Sequence, residues 1–268
     1  MFIQAERLTK KYGQGEAAVM ALREASFSIE AGDFVSVMGP SGSGKSTLLA
    51  LMGALTSPDR GTYHVDDLDV YALDQDRRAD FRREYIGFVF QLFHLAPFLT
   101  LMENVMLPLA VKKISAGRKR DLAHQALARV GLAGKENRLP NQVSGGEQER
   151  TAIARAVVNE PSILLADEPT GNLDADTGRR VMELLGRLNQ EGMTIIMVTH
   201  NPEYAAWARR LMLLADGHLS ETRTDRSRGL VLSVAGSPIL AAGETSPGLT
   251  TRDRPPKLVT VTPDQEPA

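Results

Sequence analysis

Residues 39–47 read GPSGSGKST, directly after the apolar run FVSVM (34–38) and just ahead of an apolar helical pattern, STLLALMGAL (46–55). The stretch fits G-x-x-x-x-G-K-[ST], and a strand before it with a helix after it is the context such a loop requires. Gly39, Gly42 and Gly44 let successive backbone N–H groups turn inward around phosphate oxygens, and Ser41 and Thr47 complete the phosphate-facing set. The N-terminus of the following helix adds the positive end of its dipole. Lys45 is placed to reach the β- and γ-phosphates of a nucleotide, and Ser46 to ligate Mg²⁺.

Three further apolar runs end in polar residues. ILLADEP (163–169) closes on two acids. In an open α/β sheet, ligands gather at the carboxyl ends of the strands. Asp167 is therefore expected to hold Mg²⁺, directly or through water. Glu168, one residue further out, is expected to orient or deprotonate a water attacking the γ-phosphate. Alone, the two acids would read as caps of the turn before Pro169. The phosphate loop upstream outweighs that reading. IGFVF (86–90) leads to Gln91, which can touch Mg²⁺ or the attacking water, and TIIMVT (194–199) leads to His200, which can hydrogen-bond the γ-phosphate. Four strand ends thus converge on one triphosphate. Tyr12, in KKYG, is a candidate to stack on adenine.

VSGGEQER (143–150) poses a different problem. Ser144 and Glu147 have the spacing of a capping box. That pairing does not explain the two glycines between them, since glycine at a helix start costs up to about 1 kcal/mol relative to alanine. Gly145 and Gly146 expose N–H groups at a helix N-terminus to close approach. This is a second anion site in a chain that already owns a complete phosphate loop. A spare half-site makes sense if it serves a nucleotide held by another copy.

The elements that must position these groups alternate. Strand-like runs at 34–38, 86–90, 163–166 and 194–198 are separated by helical patterns such as RKRDLAHQALARV (118–130) and TGRRVMELLGRLNQ (177–190), which predicts an α/β core with a mostly parallel sheet. Shorter alternating pieces over roughly 2–33 fit an antiparallel β edge. Residues 220–268 contain no aromatic residue and six of the fourteen prolines. Such a segment cannot bury enough apolar surface to fold alone, so a mostly disordered tail is expected, with VLSV (231–234) as a candidate short strand.

The chain has 268 residues, a net charge of −2 and no cysteine. Disulfides and thiolate metal sites are excluded, and a grip on nucleic acid through bulk charge is not expected. MFIQAERLTKKYG has no apolar core of signal-peptide length. The greasiest segment, LAPFLTLMENVMLPLAV (95–111), is interrupted by Glu103 and Asn104 and broken by Pro97 and Pro108. It falls short of the roughly 18 uninterrupted apolar residues of a membrane span.

SGGEQER resembles the signature motif of the ATP-binding cassette ATPases. The other motifs stand in that family's order: Tyr12, GPSGSGKST, Gln91, the signature, ILLADEP, NLD (172–174) and His200. The resemblance covers about residues 1–220. It implies a phosphate-loop (P-loop) NTPase core with an inserted α-helical subdomain at about 92–160. It also implies two cassettes head to tail, most simply a homodimer, with two ATPs between them. Each ATP would meet one copy's phosphate loop and the other's Ser144, Gly145 and Gly146. Tyr12 would stack on adenine, Glu168 would be the general base, His200 would hold the γ-phosphate and Asp174 would join the dimer seam. Three positions depart from the family pattern: Val143 stands for leucine, Glu149 for glutamine and Thr151 for valine. Glu149 is expected to add a negative charge one turn into the helix, where it can tune the dimer contact.

Within the family, YIGFVFQLFHLAPFLTLMENVMLPL (85–109) is similar to LolD- and MacB-like cassettes, a branch that includes the cell-division cassette FtsE. That likeness implies a place on the cytoplasmic face of the inner membrane, peripheral through an integral permease. The permease would be contacted near Phe93–Leu101, where Phe93, Leu95, Phe98 and Leu99 follow Gln91. The competing reading within the family is a cassette that regulates a membrane partner and transports nothing. A kinase is disfavoured by the signature, and no N-K-x-D element for guanine is present. Removing the residues after about 225 is expected to leave ATP turnover intact in a steady-state phosphate-release assay; loss of turnover would give the tail a structural or regulatory role.

Overall fold

The computed structural model describes residues 2–225 and two further short strands at 230–231 and 257–258. Strands β1 (Ile3–Tyr12) and β2 (Val19–Ile29) form an antiparallel pair. β3 (Phe34–Met38) is buried along its whole length and leads through the phosphate loop into helix α1 (Lys45–Met52). β4 (Arg60–Val65) and β5 (Leu68–Asp69) return to the first pair and complete a four-stranded antiparallel sheet, β2-β1-β4-β5. Helix α2 (Gln75–Tyr85), capped by Asp74, leads to β6 (Ile86–Val89). Three helices are then inserted: α3 (Leu101–Met106), α4 (Ala116–Arg129) and α5 (Gly145–Val157). The chain continues through β7 (Ile163–Asp167), α6 (Ala175–Gln190), β8 (Thr194–Val198), α7 (Pro202–Ala205), β9 (Arg210–Ala215) and β10 (His218–Asp225). β11 (Leu230–Val231) and β12 (Lys257–Leu258) lie at the edge.

The central sheet runs β12-β11-β10-β9-β3-β8-β7-β6. From β9 to β6 every pairing is parallel. Both faces of these strands are covered, so they read as continuous apolar runs. Leu164, Ala166, Ile195 and Met197 face one side and pack with Leu101, Leu127, Ile153 and Leu185 of the helices. Ile163, Leu165, Ile196 and Val198 face the other and pack with Leu48 of α1 and with Ile3, Leu8 and Ile29 of the antiparallel sheet. Each such aliphatic side chain, fully buried, contributes about 1.5–3 kcal/mol. The alternation of side chains along a strand divides one sequence between two cores.

The four strands expected from the sequence occur at 34–38, 86–89, 163–167 and 194–198, and the mostly parallel sheet with a separate antiparallel unit is the observed architecture. α2 was not legible: QDRRADFRREY buries only Phe81 and has almost no apolar face. The composition boundary near 220 falls inside a strand. β10 pairs with β9 from His218↔Ala215 to Arg223↔Arg210, because the ladder is made by backbone groups and does not require apolar side chains. Val231 of VLSV belongs to β11, and most of the expected tail lies outside the described residues. The segment 95–111 is a loop, the six-residue α3 and a 3₁₀ turn with Pro108 in its first turn. Among the described residues no helix is long and apolar enough to cross a membrane.

One contact between helices bears directly on the signature glycines. Gly146 is buried, and a Cβ built there would stand 2.1 Å from Cγ2 of Thr177 on α6. Gly146 is thus required by the packing of α5 on α6. Gly146→Ala is expected to destabilise the fold by about 1–3 kcal/mol, the usual range for overpacking. Thr177→Ser removes the obstructing methyl and should restore most of the loss in urea unfolding; a lone Gly146→Ala variant with an unchanged midpoint would refute the contact.

Candidate nucleotide site

The phosphate loop is held from outside as well as by its own sequence. Gly44 caps α1 in the left-handed region at φ 104°, and Gly42 has φ 79°. A Cβ on Gly39 would lie 2.0 Å from the carbonyl oxygen of Leu214, and one on Gly44 2.0 Å from that of Ala21. The loop is therefore pressed against β9 and β2, and only glycine fits at these approaches. The first-turn N–H groups of Lys45, Ser46 and Thr47 have no intrahelical acceptor. Lys45 Nζ donates to the carbonyls of Gly39 and Pro40, each at 2.8 Å, which centres the ammonium in the loop. Ala21 lies two residues from Val19, which pairs with Tyr12, so the β1–β2 hairpin brings Tyr12 to the same end of the molecule. Its ring is 45% exposed, with Lys10 Nζ 5.4 Å from the centroid.

The strand ends assemble beside this loop. Ser46 lies close enough to Asp167 for its hydroxyl to interact with the carboxylate, so the two residues expected to share a divalent cation are neighbours. Burial pushes the Asp167 carboxyl above its usual range, the Ser46 hydroxyl and the Lys45 ammonium pull it down, and the charge of Glu168 adds to the rise. Glu168 adopts φ 49°, a left-handed conformation that strains a non-glycine residue. It is held there by its own N–H to the Val198 carbonyl at 3.0 Å and by the Gly171 N–H to its carbonyl at 2.9 Å. His200 was expected to face a phosphate; in this structure its Nδ1 lies 2.8 Å from Glu168 Oε1. That leaves Nε2 for a further partner. Gln91 is exposed, with its Nε2 3.3 Å from the position a Cβ would take on Gly171, and its carbonyl accepts from Asn172 Nδ2 at 2.8 Å. Gln91, Asp167, Glu168 and His200 thus form one polar edge.

The signature turn has the expected capping box. Ser144 Oγ accepts from the Glu147 N–H at 3.4 Å, and Glu147 Oε2 accepts from the Ser144 N–H at 2.8 Å. Lys135 forms an ion pair with Glu147; that bond, followed by the Ser144 N–H, holds the carboxyl below its usual range. The two glycines differ. Gly146 is buried on Thr177, whereas Gly145 is exposed and a Cβ there would meet only Leu173 Cδ2 at 3.7 Å and Phe93 Cζ at 3.9 Å. Nothing within the chain demands glycine at 145. Asp174 caps α6, accepting from the Thr177 N–H at 2.9 Å, so the NLD turn and the signature are stacked on the same helix start.

The departures from the family pattern are absorbed within the chain. Glu149 does not present a charge at a surface: it is 1% exposed, Oε1 lacks a partner, and burial drives its carboxyl well above the usual range, with only Arg155 opposing. α5 buries Glu149 together with Ala152, Ile153 and Ala156, so a contact with another subunit is not available to it. Thr151, also buried, bonds through Oγ1 to the Glu147 carbonyl at 2.7 Å, and Val143 packs against the helical core.

The loop after Gln91 is pinned at both ends by residues the sequence reading passed over. Arg155 of α5 donates to the carbonyls of His94 at 2.5 Å and Phe93 at 2.8 Å. Asn104, read above as an interruption in a greasy run, is fully buried. Its side chain accepts from the Ala96 N–H at 2.7 Å and donates to the carbonyls of Ala96, Leu99 and Thr100. A polar residue inside an apolar run was the available signal for such a clamp. Between the clamps, Leu92 is 65% and Phe98 78% exposed, while Phe93, Leu95 and Leu99 are half-buried.

Comparison with known proteins agrees with this arrangement. The family profile described as "ABC transporter" matches residues 22–171. An uncharacterised ABC transporter ATP-binding protein of Methanocaldococcus jannaschii is 45% identical over 219 residues, covering 82% of this chain and 98% of that protein. The macrolide export ATP-binding/permease protein MacB of Rhodopseudomonas palustris is 42% identical over 240 residues, which is 90% of this chain and 36% of MacB. A dimeric post-hydrolysis structure of the M. jannaschii ATP-binding cassette MJ0796, bound to ADP and Pi, superposes with a TM-score of 0.75 at 42% identity, covering 82% of this chain and 98% of that one. The family match over residues 22–171, the 45% identity to an ATP-binding protein covered almost whole and the likeness of fold make the chain an ATPase of the ATP-binding cassette (ABC) transporter family, and the phosphate loop, acidic strand end and signature turn are the parts of it expected in such an enzyme.

Proposed function

We propose that the chain hydrolyses ATP as one of a pair of identical cassettes and thereby drives an integral membrane permease of the lipoprotein-release or macrolide-export type. The observation that carries the pairing is Gly145. It is exposed at the capped start of a 13-residue helix, and its own chain would accept a side-chain carbon there in ordinary contact with Leu173 and Phe93. A group from outside the chain is then the reason for glycine, and a helix N-terminus with bare N–H groups suits a phosphate. The dimeric form of the MJ0796 cassette supports the same reading.

In this assembly Lys45 and the first-turn amides of α1 bind the β- and γ-phosphates, and Tyr12 stacks on the adenine. Mg²⁺, when bound, would offset phosphate charge. Ser46, Asp167 and Gln91 offer the hard oxygen donors that suit it, and Ser46 and Asp167 are already neighbours. Glu168 orients the attacking water and takes its proton at the carboxylate. His200 fixes that carboxylate through Nδ1 and turns Nε2 toward the γ-phosphate when both ring nitrogens carry protons. Ser144, whose Oγ accepts from within the capping box, keeps its O–H to donate to the other copy's nucleotide. Asp174, stacked beneath the signature, lies at the seam.

The permease reading is supported by MacB relatives at 42–47% identity, of which this chain spans about a third. It is also supported by the clamped loop that offers Phe98 to a partner. An exposed apolar patch on a rigid loop suits a docking helix. The chain would then sit at the cytoplasmic face of the membrane.

Glu168→Gln should lower kcat by about 10²–10⁴-fold, the usual contribution of a general base, while an ATP-dependent dimer persists on size exclusion; turnover at the wild-type rate would remove Glu168 from that role. Gly145→Asp should abolish turnover yet leave ATP binding by the monomer unchanged in calorimetry. Normal turnover in that variant is incompatible with a shared site.

A further inference from the structure

Between Glu103 and Asp121 the chain carries no acid but five cations, Lys112, Lys113, Arg118, Lys119 and Arg120, although its net charge is −2. Lys119 is turned inward, with Nζ donating to the Ala110 carbonyl at 2.9 Å. Lys113, Arg118 and Arg120 are exposed and have no ion-pair partner among the described residues. Apolar side chains stand exposed among them: Leu107 at 46%, Val111 at 67% and Ile114 at 37%. Fold stability does not account for this composition. Arg118–Arg120 lie at the start of α4, whose first turn has no acid, and cations there oppose the helix dipole. Val111 and Ile114 leave apolar surface in water.

We propose that residues 107–120 form a contact surface for the anionic headgroups of the bilayer. Clustered lysine and arginine complement a negative leaflet, and interleaved aliphatic side chains enter the headgroup–acyl boundary. A nucleic-acid groove would use the cations but give Val111 and Ile114 no apolar environment. The position fits as well. α3 has six residues, about 9 Å of helix, and joins this surface to the loop that carries Phe98. The inference therefore rests on the reading that this loop meets a membrane permease. The surface adds a weak, salt-sensitive second attachment beside that protein contact.

The test uses the full chain without permease, co-sedimented with vesicles of phosphatidylcholine alone or mixed equally with phosphatidylglycerol, with ATP turnover measured on the same preparation. Binding is expected only to the phosphatidylglycerol vesicles and should weaken as salt rises. Lys113→Gln/Arg118→Gln/Arg120→Gln should lower partitioning about 100-fold, near 5-fold per cation, with turnover and melting temperature unchanged. Val111→Ser/Ile114→Ser should lower it while leaving the salt dependence intact. Equal binding to phosphatidylcholine, an unaffected triple-glutamine variant, or a preference for duplex DNA over charged vesicles would overturn the proposal. Loss of the lipid preference while Phe98→Ala still abolishes capture of a permease from solubilised membranes overturns this proposal alone, whereas a preserved lipid preference with capture unaffected by Phe98→Ala removes the permease-docking reading alone.

Discussion

In the parallel ladder at the centre of the molecule, Val37 of β3 and Asp167 of β7 both lie level with Val198 of β8, and Val89 of β6 lies level with Ala166. Adjacent strands are about 4.8 Å apart, so this register brings Gly39, Gln91, Asp167 and His200 to one edge within a few ångströms along the strands. The chemistry of the site depends on that alignment. A slip of one residue in β7 would exchange its two apolar faces and carry Asp167 away from Ser46. The two cores on either side of the sheet resist such a slip, because every strand residue from Ile163 to Ala166 is already committed to one of them.

Helix α5 links the two ends of the inserted helical unit. Its first turn is the signature, stacked on Thr177 and Leu173, and its third turn carries Arg155, which holds the carbonyls of Phe93 and His94. A displacement of the loop that exposes Phe98 is therefore felt by the helix whose N-terminus carries the signature. Gln91 begins the same loop and its carbonyl is tied to Asn172, two residues before Asp174. The polar strand edge, the loop that exposes Phe98 and the signature share short mechanical connections, so under the proposed function a membrane partner on that loop and a nucleotide at that edge would bias each other.

The signature glycines separate into two roles that the motif alone does not distinguish. Gly146 is small because α6 is close; Gly145 is small although its own chain leaves room. Glu149 shows the same principle in reverse. As a charged letter in a helix it reads as a surface feature, and in the fold it is a buried acid beside Arg155, with burial favouring its neutral form.

By itself the sequence determined the phosphate loop, the acidic strand end, the capping box and the four buried strands. These are encoded locally: a glycine that must take positive φ, a cap three residues from its partner, a short run of apolar residues bounded by polar ones. The tertiary structure alone decided which strands are neighbours and that Ser46 lies beside Asp167. It also decided that His200 rests on Glu168 and that Thr177 fills the space beneath Gly146. Asn104 and Arg155 became visible only there, as did α2 and the strand that overran the composition boundary at 220. Each depends on groups far apart in the chain, and a hydrogen bond or a van der Waals gap between them leaves no periodic trace in either segment.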